Sequence, residues 1–216
     1  MTGAVTAQEN VLRAVRQLIA TGHLEPGQQV VQDSLAAQLG VSRVPLREAL
    51  KVLEGEGQVV YSPHRGYFVA DLSVDDLTEV YRIRALLEEE ALNVGIPLMT
   101  DEDVDYILEL KAAVETVAES GDVSEISAAN RKFHFAMFEL SNMPRLVRLI
   151  KNLWDATDAY RSVYMANPSN LHQMSLEHDE MFDALVARDI ARVVAMQATH
   201  RENSVTAVSR VISRSE

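Results

Sequence analysis

Apolar residues recur at helical spacing over most of the chain, with one short interruption. Residues 8–21, "QENVLRAVRQLIAT", place Val11, Leu12, Val15, Leu18 and Ile19 on one stripe, and "GHLEPGQQ" ends that helix with glycine and proline. A short second helix is predicted over "SLAAQLG", with Asp33 or Ser34 as its cap and Gly40 as its stop. A third runs from Arg43 to about Glu54, capped by Ser42. Pro45 falls in its first turn, where a missing N–H is tolerated, and Gly55 and Gly57 close it. The period then shortens: Val59–Ser62 and Tyr67–Ala70 are β-rich runs joined by a turn containing Pro63 and Gly66. After Asp71 the helical period returns, and helices are predicted near 74–95, 101–120, 124–142, 144–166, 170–187 and 189–213, punctuated by Pro97, Gly121, Pro144 and Pro168. The breaks between them are short, as expected of antiparallel neighbours.

The third helix carries the clearest chemistry. At about 100° per residue, Leu46, Ala49, Leu50 and Leu53 share one face, and Arg43, Arg47, Lys51 and Glu54 form an edge beside it. A short helix, the "GVS" turn and this amphipathic helix make a helix-turn-helix, whose second helix enters the DNA major groove N-terminus first. Arg43 and Arg47 lie where guanidinium groups fork onto guanine edges or clamp phosphates. The following hairpin supplies a wing, with Arg65 and Gly66 at its tip. Ser42, Arg43, Arg47, Lys51, Arg65 and Gly66 are therefore the candidate DNA contacts. An isolated amphipathic helix with a solvated charged face would show the same charges; the turn and hairpin around this one favour the helix-turn-helix. The fold expected is mainly α: a winged helix-turn-helix over residues 1–72 and an all-α antiparallel helical bundle over residues 73–216.

Charge sharpens that division. The formal net charge is −12, yet residues 1–72 carry 6 Lys and Arg against 7 Asp and Glu, while residues 73–216 carry 14 against 25. A polyanion is repelled by the second part and tolerated only on a local patch of the first. Apolar residues make up 47% and charged residues 24%, which excludes disordered and fibrous classes. With no cysteine there is neither a disulfide framework nor a thiolate metal site. No apolar run reaches the roughly 18 residues needed to span a bilayer, and "MTGAVTAQENVLRAV" shows no signal-peptide pattern. The expectation is a cytoplasmic protein with no membrane partner.

In the helical part, His178 shares a stripe with Leu171, Met174, Met181 and Leu185, and His200 shares one with Val193, Gln197 and Ser204. His134 follows Asn130 by one turn, so the two project together. Neutral imidazoles are good ligands for Zn²⁺, Ni²⁺ or Mn²⁺, and an Asn carbonyl oxygen is a weaker one. Asn130, His134, His178 and His200 are thus candidate metal ligands from three helices. The spacing is equally compatible with hydrogen-bonded core histidines that hold no metal. Arg84 lies on the stripe Leu77, Tyr81, Leu87, Ala91 and is the candidate effector-binding residue. It either forks onto a ligand carboxylate or forms a structural ion pair with Glu88 or another acid.

The stretch "LEPGQQVVQDSLAAQLGVSRVPLREALKVLEGEGQVVYSPHRGYFV" resembles the winged-helix domain of GntR-type bacterial transcription regulators, over roughly residues 8–72. The resemblance implies that Arg43 and Arg47 contact DNA and that Gly66 marks the wing tip. Many such regulators have an arginine where this chain has Asp33, which, if that arginine reads a base, implies a different operator or fewer contacts. Residues from about 74 onward are similar to the all-helical FCD-type effector domain of the FadR-like branch, through "RALLE", "NMPRLVRLI" and histidines 44 and 22 residues apart. Six predicted helices suggest the VanR-like subgroup. Asn130 stands where that pattern has Asp, which implies a more weakly held metal or one held partly by the effector or water.

The resulting expectation is a homodimeric, ligand-responsive repressor, not an enzyme, that binds a palindromic operator and senses a small organic acid near a divalent metal ion. A constitutive DNA-binding dimer without an effector is one alternative. A metal hydrolase built on the histidines is another, weakened because no carboxylate is placed as a general base: Asp155, Asp158, Glu177 and Asp179 all read as solvated surface.

Overall fold

The structure, a computed structural model, describes residues 7–213; residues 1–6, on which the signal-peptide reading partly rests, lie outside them. The chain divides into two compact units between Leu72 and Ser73.

The first unit runs α1 (Ala7–Ala20), β1 (Gln29–Val30), α2 (Gln32–Gln38), α3 (Arg43–Gly55), β2 (Val59–Ser62) and β3 (Gly66–Val69), a winged helix-turn-helix. Its core is the apolar stripe of α1 (Val11, Val15, Ile19) against Leu46, Ala49, Leu50 and Leu53 of α3, all buried. The α2–α3 turn is closed by Gly40 at φ +65°. Its N–H reaches the Ala37 carbonyl at 3.2 Å while the Val41 N–H reaches that of Ala36 at 3.0 Å. This is the paired closure that a left-handed residue after a helix allows and that a Cβ there would strain.

Two sequence expectations change here. The sheet has three strands in the order β1-β3-β2, with Gln29 opposite Phe68 and Tyr61 opposite Tyr67. A two-residue strand is too short to show an alternation, so β1 left no signal in the sequence. Neither Asp33 nor Ser34 caps α2, because the chain passes almost directly from β1 into the helix and puts Val31 at the cap position. Asp33 falls instead in the first turn. Ser42 does sit at the cap of α3, but its side chain makes no capping bond.

The second unit is wholly helical among the described residues: α4 (Val74–Gly95), a 3₁₀ turn (Ile96–Leu98), α5 (Asp101–Ala118), α6 (Val123–Glu139), α7 (Pro144–Ala156), α8 (Asp158–Met165), α9 (Pro168–Val186) and α10 (Ile190–Ile212). Caps fix most starts: Ser73 on α4, a reciprocal Thr100–Asp103 box on α5, Asp122 on α6, Asn167 on α9 and Asp189 on α10. Helix α4 and helices α6 to α10 carry the inward polar residues described below. Gly95 ends α4 against the α6–α7 turn, where a Cβ would lie 2.8 Å from the Ser141 backbone nitrogen. The helix expected over 144–166 is interrupted at Thr157, which joins α7 to α8 as a single boundary residue. Arg161 bridges the break: its Nη1 donates to the Trp154 carbonyl at 2.7 Å and to the Thr157 hydroxyl at 2.8 Å, and that hydroxyl bonds back to the Leu153 carbonyl at 3.1 Å.

Candidate metal centre and candidate nucleic-acid interface

Helices α6, α9 and α10 bring His134, His178 and His200 to one buried point. Their ring centroids are 5.1 Å (134–178), 5.0 Å (134–200) and 5.2 Å (178–200) apart. One nitrogen from each ring lies within 4.8 Å of the other two. Both nitrogens of His134, the Nε2 of His178 and the Oδ1 of Asn130 are buried without a hydrogen-bond partner. Burial holds the His134 imidazole well below its ordinary pKa, with His200, His178 and Arg84 adding to the effect. Burial does the same for His178, helped by His200 and Lys111. Neutral rings with unused lone pairs facing a shared point are what a divalent ion of borderline softness requires, so the residues fit a metal.

Glu177 completes the cluster. Its Oε2 lies 2.6 Å from the His200 Nδ1, and its Oε1 accepts from Asn203 at 2.6 Å and Gln173 at 3.0 Å. This leaves the Nε2 of His200 as the nitrogen available to a metal. The solvated-surface reading of the four acids is corrected for two of them: Glu177 is buried against His200, and Asp155 is buried and paired with Arg131 at 2.8 Å. Asp158 pairs with Arg161, and Asp179 with Lys111 at 2.5 Å.

Arg84 forms the structural ion pair that the sequence left as one of two options. Its Nε donates to Glu88 Oε1 at 2.8 Å, and its guanidinium stacks 4.4 Å from the Tyr81 ring and 4.3 Å from the Trp154 ring. Glu88 also accepts from Trp154 Nε1 at 2.8 Å, Gln197 at 3.0 Å and Arg201 at 2.8 Å. Burial alone would raise the Glu88 carboxyl; Arg84, Arg201 and Gln197 outweigh it and hold it at about 2. A small cavity adjoins His200, bordered also by Arg84, Asn130, Arg161, Tyr164 and Arg201, with about 20 Å³ open between them. Arg161 and Arg201 were absent from the sequence reading. Arg161 has a buried, unpartnered Nε and is pushed down to about 9, chiefly by burial, with Arg84 and Arg131 contributing.

In the first unit, Ser42, Arg43, Arg47 and Lys51 lie exposed along α3. Arg43, Arg47, Arg65 and Gly66 border one open concavity of about 370 Å³ with Gln29 and Asp33. Lys51 stands apart from it, paired with Glu48 at 3.0 Å. Gly66, at φ +88°, and His64, at φ +64°, turn the wing. Gln29 donates to the Arg65 carbonyl at 2.5 Å, and the Arg65 guanidinium lies 5.0 Å over Phe68. Arg43 is ion-paired to Asp33 through its Nε. Val44, 72% exposed on the same helix, is an apolar group the charge-based reading passed over.

Residues 7–69 match the family described as bacterial regulatory proteins, gntR family, and residues 79–203 match the FCD domain. The chain is 31% identical over 177 residues to the HTH-type transcriptional regulator McbR of Escherichia coli (strain K12), covering 81% of this chain and 80% of that one. It is likewise 31% identical over 182 residues to the Nta operon transcriptional regulator of Aminobacter aminovorans, covering 79% and 83%. Among solved structures, E. coli McbR/YncC superposes with a TM-score of 0.84 at 28% identity, covering 96% of this chain and 99% of that one.

Proposed function

This chain belongs to the GntR family of bacterial regulatory proteins, with an FCD domain behind its helix-turn-helix, and from that premise we propose that it is a ligand-responsive repressor. Residues 1–72 bind a palindromic operator in duplex DNA, and residues 73–216 form the homodimer and sense a small organic acid beside a divalent metal ion. The family and its relatives are transcriptional regulators, not enzymes, so the histidines serve sensing rather than hydrolysis. No helix among the described residues is long and apolar enough to cross a membrane, and a DNA partner puts the working protein in the cytoplasm.

The observation that carries this reading is a buried three-imidazole cluster beside a cavity bordered by three arginines. Asn130, His134, His178 and His200 would hold Zn²⁺, Ni²⁺ or Mn²⁺, which when bound offers a ligand oxygen a Lewis-acidic position. The chain's own groups do the rest. Glu177 fixes the His200 ring, and Arg161 and Arg201 border the space that a carboxylate would enter, with Arg84 held beside them by its ion pair to Glu88. Met165 and Met174 also border the cavity; their flexible thioethers can give way to a ligand larger than the space now open.

A thermal-shift screen of small organic acids with and without EDTA tests this, alongside elemental analysis and gel shifts on a duplex selected from a random library. One acid should stabilise the protein only without chelator and change duplex occupancy by about 5–150-fold. His134→Ala combined with His200→Ala should abolish bound metal. Arg47→Ala should weaken binding to the selected duplex while leaving the melting temperature unchanged. If no acid stabilises the protein, the constitutive dimer replaces this reading; the narrowness of the cavity is the observation in its favour.

A further inference from the structure

The structure assigns Asp33 a role in DNA reading: it positions the Arg43 side chain so that this arginine reads a base edge rather than clamping a phosphate. The inference rests on the reading above, that α3 enters a DNA groove. Asp33 is in the first turn of α2, Arg43 is the first residue of α3, and the turn that Gly40 closes brings them side by side. Their side chains are 63% and 65% exposed, so the pair contributes little to stability. Its effect lies in what it does to the guanidinium.

The contact engages the Nε edge of Arg43. An acid held at Nε leaves the far end of a planar guanidinium fork to make a two-point contact with guanine O6 and N7. A phosphate approaching Arg43 meets a carboxylate already in place and is repelled. Guanine's neutral acceptors carry no such penalty. Asp33 is also the one acid among the charged residues bordering a concavity that Arg43, Arg47 and Arg65 otherwise make cationic. Arg47 and Arg65 are therefore the phosphate-seeking cations of this face, and Arg43, half-neutralised and aimed, is its base reader. Two kinds of cation on one face separate affinity from specificity.

The test uses the full-length protein, a duplex selected by the wild type from a random library, and a scrambled duplex of equal length. Asp33→Ala should melt at the wild-type temperature and bind the scrambled duplex more tightly. The slope of log affinity against log salt should steepen by about one ion per subunit. The ratio of specific to scrambled affinity should fall about tenfold. Asp33→Asn, which keeps an acceptor for Nε but no charge, should steepen the salt slope with a smaller fall in that ratio. In an Arg43→Ala background, Asp33→Ala should leave the ratio where Arg43→Ala alone puts it. An unchanged ratio in Asp33→Ala overturns the inference. So does an equal fall in the Arg43→Ala background, because Asp33 would then touch DNA itself. If the wild type selects no sequence, or Arg47→Ala binds as the wild type does, the DNA-reading assignment of α3 fails and takes this inference with it.

Discussion

Glu88 holds together the buried charge of the helical unit. It is fully buried and accepts from two arginines, a tryptophan and a glutamine drawn from α4, α7 and α10. Glu88→Gln removes the charge but keeps the shape, leaving Arg84 and Arg201 facing each other in a low dielectric. It should destabilise the protein by about 3–5 kcal/mol, read by urea denaturation. The pH dependence follows from the sign of the shift. The folded carboxyl is held at about 2, below its ordinary 4.5. Its contribution is therefore complete above pH 4.5 and is lost as pH falls from there towards 2, and the wild-type melting temperature should drop over that window more than the Gln variant's. The helical stripe read from the sequence reaches Arg84 and Ala91 correctly but puts Leu87 where Glu88 also turns inward. Periodicity ranks positions by hydropathy, and a carboxylate buried by its partners is invisible to it. The three histidines were legible because apolar neighbours share their stripes. Arg161 and Arg201 were not, since arginines on a helix ordinarily mark the solvent side.

At the scale of elements, helices with strong caps and apolar stripes were legible to within a few residues: α4 was expected over 74–95 and spans Val74–Gly95. Failures occurred where tertiary contacts or side-chain hydrogen bonds override local preference. The break at Thr157 is a local one that hydropathy does not register: its hydroxyl bonds back to the Leu153 and Trp154 carbonyls, and Arg161 contacts the Trp154 carbonyl and the same hydroxyl. Strand β1 exists because β3 offers it an edge. Gly95 shows the same dependence in reverse. It is a weak helix former at the end of a long helix, kept where the Ser141 nitrogen and the Leu140 side chain approach at 2.8 and 2.9 Å. Gly95→Ala improves helix propensity and should still destabilise by about 1–3 kcal/mol, because the Cβ meets backbone that cannot step aside. Thermal denaturation of the variant checks the sign.

At the scale of the molecule, the charge division at residue 72 is also the division between the two compact units. Residues 73–216 expressed alone should retain a cooperative melting transition and the metal content of the full chain while showing no gel shift on the selected duplex. Loss of the transition in that fragment would mean that the helical unit depends on the first. Family and fold were legible because the turn, the amphipathic third helix and the hairpin follow one another in a single short stretch. What the acid-rich body does inside was legible only as far as its histidines.

The joint at Thr157 has an energetic consequence. Its hydroxyl accepts from Arg161 at 2.8 Å and Arg84 at 3.4 Å, both bordering the cavity. Arg84 and Arg161 thus share one acceptor at the joint, so a substitution that removes the hydroxyl, Thr157→Val, strips a partner from both guanidiniums at once.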